Sequence, residues 1–436
     1  LDRLSWYSHL HALRKLILPL DSSAKVVGPR RLHSSQWGII DPIDTPDGGH
    51  VGLHKQMTIC AHITSGYPVS KMIDWIFKHM DMYVHPIGDF SPEYLGKISK
   101  VLVNGQWIGS TSMPTSVVTK MKIYRRNGII PVFTSISMDY KTADVIIYTD
   151  AGRLSRPIYY LNSDKTNYHK NIEELFDTDQ ITWEQIVSGT RSKSVEAFSH
   201  KKNKVFSPHQ LYPELVEEND NKNDSGEHED KNEKYLFREL NKTASMIDYM
   251  DSSEAESPLI AMLPDDLTNT ETSRLPYTHL EIDPSLILGM LSNQTIYPEH
   301  NPIARNVFSC GQAKQAVSLY HSNFQSRMDK MGVILNYGQT PLVKSKYMKY
   351  VNNEEHPNGV NTIVAIMSYT GYNVEDAILV NKGALDRGLF RTTYMTSYET
   401  KEESEVISGG SRSKFANIEQ TPNVSKLKKD YDYSFL

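Results

Sequence analysis

The sequence predicts an α+β, multi-domain fold. Its 436 residues are enough for two to four domains at about 100–200 residues each. With 39% hydrophobic and 23% charged residues, the composition is typical of an ordinary globular protein. Stretches that alternate apolar and polar residues, such as "VLVNGQWIGS", predict antiparallel strands. Stretches with apolar residues three and four positions apart predict helices between them.

Charge and cysteine content exclude several classes of protein. The formal net charge is -5 and the pI is about 6.4, so any nucleic-acid binding must depend on local basic patches. Cys60 and Cys310 are too few for a four-thiolate zinc site, and they form no disulfide framework. No apolar run approaches the ~20 residues that span a bilayer, so no membrane partner is expected. Because the sequence lacks an initiator Met, we expect a central fragment or one piece of a split gene.

Composition divides the chain into four expected regions, which are 1–70, 71–165, 166–250 and 251–436. Segment 216–234 within the third region has eight acidic residues, three lysines and almost no apolar residues. Such a segment cannot bury enough apolar surface to offset the entropy lost on ordering. We therefore expect a flexible acidic insertion there.

Local signals predict individual elements in the first half of the chain. The stretch "WYSHLHALRKLI" predicts an amphipathic helix that ends with Arg14 and Lys15, where cations suit the helix dipole. Asn104 and Gly105 predict a hairpin turn. A cluster of basic residues is expected to remain on the surface, namely Lys120, Lys122, Arg125 and Arg126.

A second helix is predicted from "SCGQAKQAVSLYHSNFQSRMDKMGVIL", with Ser309 and Gln312 as the capping box at its start. Its apolar face would consist of Ala316, Tyr320, Phe324, Met328, Met331 and Leu335. The N-terminus of a helix binds anions, and Arg305 just before it, with Lys314 and Gln315 in its first turn, would suit a triphosphate. The alternative is that these cations lie on the surface without a ligand.

Two adjacent acids occur in "NTIVAIMSYTGYNVEDAILVN", a stretch that predicts two buried strands joined at Gly371. Neighbouring side chains on a strand point to opposite faces, so Glu375 and Asp376 cannot both bind one ion directly. We expect one of them to face Mg²⁺ directly or through water and the other to face a structural partner. The alternative is a solvated turn or a salt bridge.

A basic stretch rich in turns lies near the N-terminus and could follow the phosphates of a nucleic acid. The alternative is a solvated basic face. Its basic residues, and one aromatic residue that could stack on a base, are Arg14, Lys15, Lys25, Arg30, Arg31, His33, Lys55 and Trp37.

Five blocks occur in a fixed order along the chain, and they are "RRLHSSQWGIIDPIDTPDGGHVGL", "YTDAGRLSRP", "EIDPSLILGM", "HNPIARNVFSCGQAKQA" and "SYTGYNVEDAILVNKGALDRGLFR". Together they resemble the second-largest, beta-like subunit of multisubunit DNA-directed RNA polymerases, in its eukaryotic and large-DNA-virus form. The resemblance implies a fork region at 1–70, external modules at 71–165 and 166–250, and the first part of a hybrid-binding domain at 251–436. Part of a β-barrel would lie in that last region.

The resemblance also implies roles for particular residues in nucleotidyl transfer by two metal ions. Glu375 and Asp376 would lie near the second Mg²⁺, and Arg305 would contact the nucleotide phosphates. Lys314 and Gln315 would lie near the substrate and the RNA 3′ end. The cations of the fork region, including Arg14, Lys15, Arg30, Arg31 and His33, would lie beside the RNA–DNA hybrid.

Partners and location follow from the same resemblance. The largest polymerase subunit would complete the active site and share its Mg²⁺, so the isolated chain should be inactive, and smaller subunits, DNA template and nucleoside triphosphates would also bind. No zinc is expected in this region. The location would be intracellular, either in the nucleus or, for a viral protein, in the host cytoplasm or virion. The spelling "DTPDGG" at Asp44–Gly49, where the family has two glutamates, favours a large DNA virus.

Two other readings compete with a working polymerase subunit. The chain could serve as a scaffold or an inactive paralogue with the same shape. A free-standing magnesium hydrolase is disfavoured because the sequence contains no H-E-x-x-H or Walker motif that would support a self-sufficient site.

Overall fold

A computed structural model describes residues 1–95, 98–161, 236–237, 240–241, 244–267, 277–352, 354–402 and 415. The predicted acidic insertion at 216–234 lies outside these residues. The chain divides into two compact units. Unit 1 comprises the described residues within Leu1–Asp2, Tyr7–Gln315 and Val343–Asn353, and unit 2 those within Arg3–Trp6, Ala316–Leu342 and Glu354–Leu436. The four predicted domain boundaries stay predictions.

Helices and mainly antiparallel sheets together confirm the α+β class. The α-helices of the described residues are α1 (Trp6–Leu13), α2 (Val69–His79), α3 (Pro92–Leu95), α4 (Pro114–Arg126), α5 (Ser252–Ala255), α6 (Ile303–Gln315), α7 (Met348–Val351) and α8 (Lys382–Asp386). Short 3-10 turns occur at Gly28–Arg30, Ser34–Gln36, Ile87–Asp89, Pro264–Leu267, Pro284–Ile287, Ser292–Gln294, Pro298–His300 and Phe324–Ser326.

A five-stranded sheet forms the centre of the first half of unit 1. Its strands are β4 (His85–Pro86), β5 (Ser99–Val103), β6 (Gln106–Thr111), β7 (Ser135–Met138) and β8 (Val145–Tyr148), in the order β4-β6-β5-β8-β7. The hairpin predicted at Asn104-Gly105 is confirmed, since Val103 pairs with Gln106 across it. Both turn residues have positive φ, at 48° and 81°, which is the backbone that a two-residue hairpin turn requires.

Apolar side chains of α2 and α4 bury one side of this sheet. Met72 and Ile76 from α2, together with Val117 and Met121 from α4, are at most 1% exposed. They belong to one cluster with the strand residues Val101, Val103, Ile136, Val145 and Ile147. Burial of each such side chain contributes about 1.5–3 kcal/mol, so this cluster is the main core of unit 1.

Unit 1 contains a second five-stranded sheet. Its strands are β3 (His62–Ile63), β9 (Leu154–Tyr160), β10 (Ile247–Asp251), β11 (Ile260–Ala261) and β12 (His279–Leu280), in the order β10-β9-β12-β11 with β3 beside β9. Strand β9 pairs antiparallel with β10, β12 and β3. It therefore joins segments that are far apart in sequence.

The N-terminal helix is shorter than predicted. Helix α1 ends at Leu13, and the next residues form strand β1 (Lys15–Ile17), which pairs with β2 (His54–Gln56). The prediction that Arg14 and Lys15 end this helix was wrong, because Lys15 pairs with Gln56 in the sheet. The pairing ties the N-terminus to the end of the turn-rich segment.

Unit 2 contradicts two predictions. Its described strands are β13 (Met331–Leu335) and β14 (Thr392–Thr396), which form an antiparallel pair. The predicted long helix with its face from Ala316 to Leu335 was wrong, because helix α6 ends at Gln315 and the last part of that stretch is strand β13. Val317 is β-branched and Ser318, Ser322 and Asn323 follow closely, residue types that favour helix ends and turns.

The two buried strands predicted around Gly371 were also wrong. Residues 361–380 contain no strand, and nearly every side chain among them is exposed. Ile363 and Ile366 are 103% and 99% exposed. No sheet among the described residues closes into a barrel, so the β-barrel stays a prediction.

The basic cluster expected on the surface is largely buried in unit 1. Arg125 is 2% exposed, and its two terminal nitrogens lie 2.6 and 2.8 Å from the carboxylate oxygens of Glu254. Arg126 donates to Asp248 at 2.6 Å, and Lys122 lies 3.1 Å from Glu254. Helix α4 thus uses its cations to hold β10 and α5.

Opposite charges explain how these groups tolerate burial. Burial alone would raise the pKa of Asp248, but Arg126 and Arg125 outweigh it and hold that pKa well below its usual range. Lys120 differs, since its ammonium lies 3.4 Å from the centre of the Tyr83 ring. Paired charges are tolerated inside a protein where single charges are not.

Among the described residues, no helix combines the length and the apolar character needed to cross a membrane.

Candidate functional site

Helix α6 carries three of the predicted site residues, but in an order that differs from the prediction. The helix begins at Ile303, where the Pro302 carbonyl accepts from the Arg305 N–H at 2.9 Å. Ser309 and Gln312 therefore lie inside the helix, and the predicted capping box was wrong. Arg305 is exposed and lies in the first turn, where unpaired N–H groups and the helix dipole favour an anion.

Lys314 and Gln315 lie in the last turn of α6, not in the first turn as predicted. A cation there suits the negative end of the helix dipole. The Lys314 ammonium lies 2.8 Å from the Asp44 carboxylate, and the Gln315 side chain is exposed. The two ends of one helix thus present an arginine and a lysine that are separated by the helix length.

Asp44 is the most buried acid in the turn that contacts α6. Its side chain is 1% exposed and lies 3.5 Å from the His11 ring. Burial alone would raise the pKa of Asp44, but His11 and Lys314 reverse that effect and the pKa is lowered. Asp44 is therefore a carboxylate held in its charged form by two basic side chains.

Asp41 stabilises the same turn through hydrogen bonds rather than through ion pairs. Its carboxylate accepts from the Ser292 hydroxyl and from the N–H groups of Gly289 and Ile43. Burial raises the pKa of Asp41, and burial also raises the pKa of the neighbouring Cys310 thiol to about 12. Cys310 is thus a packed, unreactive thiol.

A cavity of about 830 Å³ lies beside the start of α6. Its walls combine apolar side chains, such as Ile43, Ile287 and Ile303, with polar ones, such as Asn306 and Tyr347. The lining includes one cation, Lys346, whose ammonium pairs with the Asp283 carboxylate. The exposed Arg305 side chain is not among its walls.

Two of the predicted nucleic-acid contacts are occupied within unit 1. The Arg14 guanidinium donates to the carbonyl of Thr58 at 2.6 Å, and burial lowers the pKa of Arg14. Arg30 donates to the carbonyls of Gly49 and Val51 at 2.7 and 2.9 Å. Both arginines therefore hold the turn-rich segment in shape, and their contact with nucleic acid stays a prediction.

Lys55 donates to the Pro29 carbonyl at 3.1 Å, but other members of the basic stretch are open to a ligand. Arg31 and His33 are exposed, and Lys15 is half-buried. Trp37 is 45% exposed and could stack on a base. The side-chain nitrogen of His33 accepts from the Ser35 N–H, which fixes the ring orientation.

Glu375 and Asp376 occupy a tight turn in unit 2. Both have positive φ, 58° and 65°, and the Ala377 N–H donates to the Val374 carbonyl at 3.4 Å. Because these residues form a turn, the expected alternation of strand faces does not apply to them. Both side chains are exposed, so one loop presents two carboxylates to solvent.

This pair has the oxygen donors that Mg²⁺ prefers. However, no group of three or more His, Cys, Asp or Glu side chains within the described parts of the chain could hold a metal ion. The pair by itself offers two carboxylates to an ion, and its contact with Mg²⁺ stays a prediction. Arg305 belongs to unit 1 and the two acids to unit 2, so their convergence on one triphosphate stays a prediction.

Two side-chain contacts in this region were not predicted from the sequence. Asp44 pairs with Lys314 and His11 lies beside Asp44, and no local pattern predicts either contact because 270 residues separate Asp44 from Lys314. The one local signal was the apolar setting of the acids in "GIIDPIDTP", which indicates burial.

Comparison with protein families matches four domain models in order along the chain. They describe RNA polymerase Rpb2 domain 3 at residues 1–63, domain 4 at 101–162, domain 5 at 237–284 and domain 6 at 291–433. The chain belongs to the family of second-largest RNA polymerase subunits. The domain 6 match of this polymerase family contains Arg305, Lys314, Gln315, Glu375 and Asp376.

Similarity to individual polymerase subunits supports the same family. The chain is 30% identical to the RNA polymerase II subunit RPB2 of Encephalitozoon cuniculi over 406 residues, which cover 92% of this chain and 30% of the relative. It is 30% identical to RNA polymerase II subunit 2 of Arabidopsis thaliana, with 92% and 30% covered. It is 31% identical to RNA polymerase subunit Rpo2 of Sulfolobus acidocaldarius, with 92% and 31% covered.

The chain thus spans about a third of the length of these polymerase subunits. The three relatives are eukaryotic and archaeal. The viral origin that we expected from "DTPDGG" is therefore not supported.

Proposed function

We propose that this chain is the nucleotide-facing part of a DNA-directed RNA polymerase and contributes to RNA synthesis on a DNA template. The observation that carries the proposal is the exposed Arg305 guanidinium in the first turn of α6, inside the match to Rpb2 domain 6. Its charge and the unpaired N–H groups of the helix both favour a triphosphate. Lys314 and Gln315 would contact the substrate side of the RNA 3′ end.

The acid pair would act on the metal that arrives with the nucleotide. Mg²⁺ bound to a triphosphate neutralises charge that develops on the phosphates during transfer. Glu375 and Asp376 would orient that ion or its water ligands through carboxylate oxygens. Arg31, His33 and Lys15 would contact the phosphates of the RNA–DNA hybrid, where cations supply affinity without reading sequence.

Glu375 and Asp376 are exposed on a loop, so a metal beside them would be open to ligands from other chains. We propose that the largest polymerase subunit supplies the remaining ligands and that the isolated chain is inactive. The exposed apolar side chains of residues 361–380 support extensive contacts with other polymerase segments or subunits. Because two of the relatives are subunits of eukaryotic RNA polymerase II, we place the protein in the nucleus.

Substitution of Arg305 tests the proposal in the assembled polymerase. Arg305→Ala should lower kcat/KM for nucleoside triphosphate by about 10- to 100-fold, since charge-assisted hydrogen bonds contribute about 1.5–3 kcal/mol each. Lys78→Ala, which removes an exposed cation from α2, is the matched control and should leave nucleotide addition unchanged. Unaltered nucleotide dependence in an assembled Arg305→Ala enzyme would exclude Arg305 from the site and favour a scaffold role.

Substitution of the acid pair tests the metal contact separately. Glu375→Gln with Asp376→Asn should raise the Mg²⁺ concentration needed for the half-maximal rate by about tenfold, as for residues that orient metal ligands. Asp386→Asn removes an exposed acid from α8 and is the matched control. An unchanged Mg²⁺ dependence would remove the pair from the site without affecting the role of Arg305.

A further inference from the structure

Among the residues that the structure describes, Asp44, His11 and Lys314 form the one buried ionic cluster that includes a candidate substrate-binding side chain. Lys314 is 20% exposed at its side chain, whereas Asp44 is 1% exposed. One end of this ion pair is therefore fixed inside unit 1, while the other reaches the surface. The position of the buried turn therefore fixes the position of the half-buried Lys314 ammonium.

The turn that holds Asp44 is itself rigid. The Thr45 hydroxyl donates to the His54 carbonyl at 3.0 Å and accepts from the Gly52 N–H at 2.8 Å. Gly52 has a φ of 72°, and an added Cβ would collide with the backbone of Arg30. The Asp44 carboxylate is thus held by backbone that has little freedom to move.

Lysine needs such a partner more than arginine does. Its ammonium is a point charge on a flexible four-carbon stem, so its direction is not fixed by its own geometry. A hydrogen bond of 2.8 Å to Asp44 favours one rotamer of Lys314. The side chain therefore loses less conformational entropy when a ligand binds. Lys314 is therefore preorganised before any ligand arrives.

We propose that Asp44 is a positioning residue, whose buried carboxylate holds the Lys314 ammonium at the end of α6 in the orientation that contacts the anionic substrate or RNA end. This inference depends on the proposed function, because it assumes that Lys314 contacts that ligand. His11 shares the carboxylate from the opposite oxygen and leaves one oxygen for Lys314.

A double-mutant cycle in the assembled polymerase tests this role. The rate of single-nucleotide addition and the apparent nucleotide affinity are measured for wild type, Asp44→Asn, Lys314→Met and the double variant. Lys314→Met should slow addition by about tenfold or more, and Asp44→Asn by about fivefold, through a lower maximal rate. In the Lys314→Met background, Asp44→Asn should have no further effect beyond about twofold.

The conservative variant separates positioning from packing. Asp44→Glu keeps the charge but adds a methylene, whereas Asp44→Asn keeps the size and removes the charge. Positioning by charge predicts that Asp44→Glu is closer to wild type than Asp44→Asn. The opposite order, with assembly confirmed by gel filtration, would show a packing role and overturn the proposal.

The remaining outcomes separate this inference from the proposed function. Equal effects of Asp44→Asn with and without Lys314 would overturn the positioning role while leaving Lys314 at the site. A silent Lys314→Met enzyme would overturn both the positioning role and the substrate contact of Lys314. The role of Arg305 would then depend on its own test.

Discussion

Helix α4 in unit 1 buries charged side chains, whereas residues 361–380 in unit 2 expose apolar ones, which is the opposite of what their composition predicts. The cationic end of α4 is buried, with Arg125 2% exposed, whereas the apolar side chains of Ile363 and Ile366 are almost fully exposed. The cations of α4 meet acids from β10 and α5 within the same unit. Burial is thus decided by whether a matching partner lies within the chain, and not by the polarity of the segment itself.

The exposed apolar side chains of residues 361–380 indicate a surface for assembly. A run of exposed apolar side chains is unusual in a protein that works alone and typically marks a surface covered by another protein. The buried ion pairs of α4, by comparison, are already satisfied. Unit 1 therefore has the features of a self-contained fold, and residues 361–380 have those of an interface.

The largest effect should come from breaking the buried ion pairs. Arg125→Met leaves Glu254 and Asp248 without their shared guanidinium, and removal of one partner of a buried pair costs about 3–5 kcal/mol. Urea unfolding of the chain, followed by circular dichroism, measures this loss. Arg31→Met, at an exposed arginine, is the control and should change stability by less than about 0.5 kcal/mol. A loss of similar size in both variants would contradict the account of α4.

A pair of isoleucines compares the two regions directly. Ile136→Ala should cost about 3 kcal/mol, because Ile136 is 0% exposed in the main core of unit 1. Ile366→Ala should cost less than about 0.5 kcal/mol in the chain, because Ile366 is 99% exposed. The same Ile366→Ala change should weaken assembly of the polymerase. Equal costs in the unassembled chain would show that residues 361–380 are buried after all.

The smallest effect concerns the pH dependence of stability. His279 is 5% exposed, lies 3.5 Å from Asp248, and burial lowers its pKa. The unfolded chain therefore binds a proton below pH of about 6.5 that the folded chain does not, so stability falls as the pH decreases from that value towards the folded pKa. The loss is at most about 1.4 kcal/mol per pH unit.

The matched variant for this pH effect is His279→Gln. Between pH 7 and 5, its free energy of unfolding should fall by less than that of the wild type. The difference between the two losses should be at most about 1.4 kcal/mol per pH unit. The carboxylates of Asp248 and Glu254 have lowered pKa values, so their contribution persists above their unfolded pKa values of about 4 and is lost only at lower pH. An identical pH profile for wild type and His279→Gln would remove His279 as the titrating group.

Local sequence signals predicted some features well. The Asn104-Gly105 turn was confirmed because its residues alone favour the required positive φ. Family membership was confirmed because long sequence blocks are more specific than any single motif. The helix at Arg305 was predicted several residues too far along the chain, since a capping box can be matched by chance inside a helix.

The sequence by itself determined the α+β class, the hairpin at Asn104-Gly105 and the family, because each depends on residues that are close in sequence or on whole blocks of it. Only the tertiary structure decided that Arg125 is buried and that Lys314 pairs with Asp44 across 270 residues. The physical reason is that the energy of a charge depends on its surroundings, and those surroundings are supplied by segments that the local sequence does not contain.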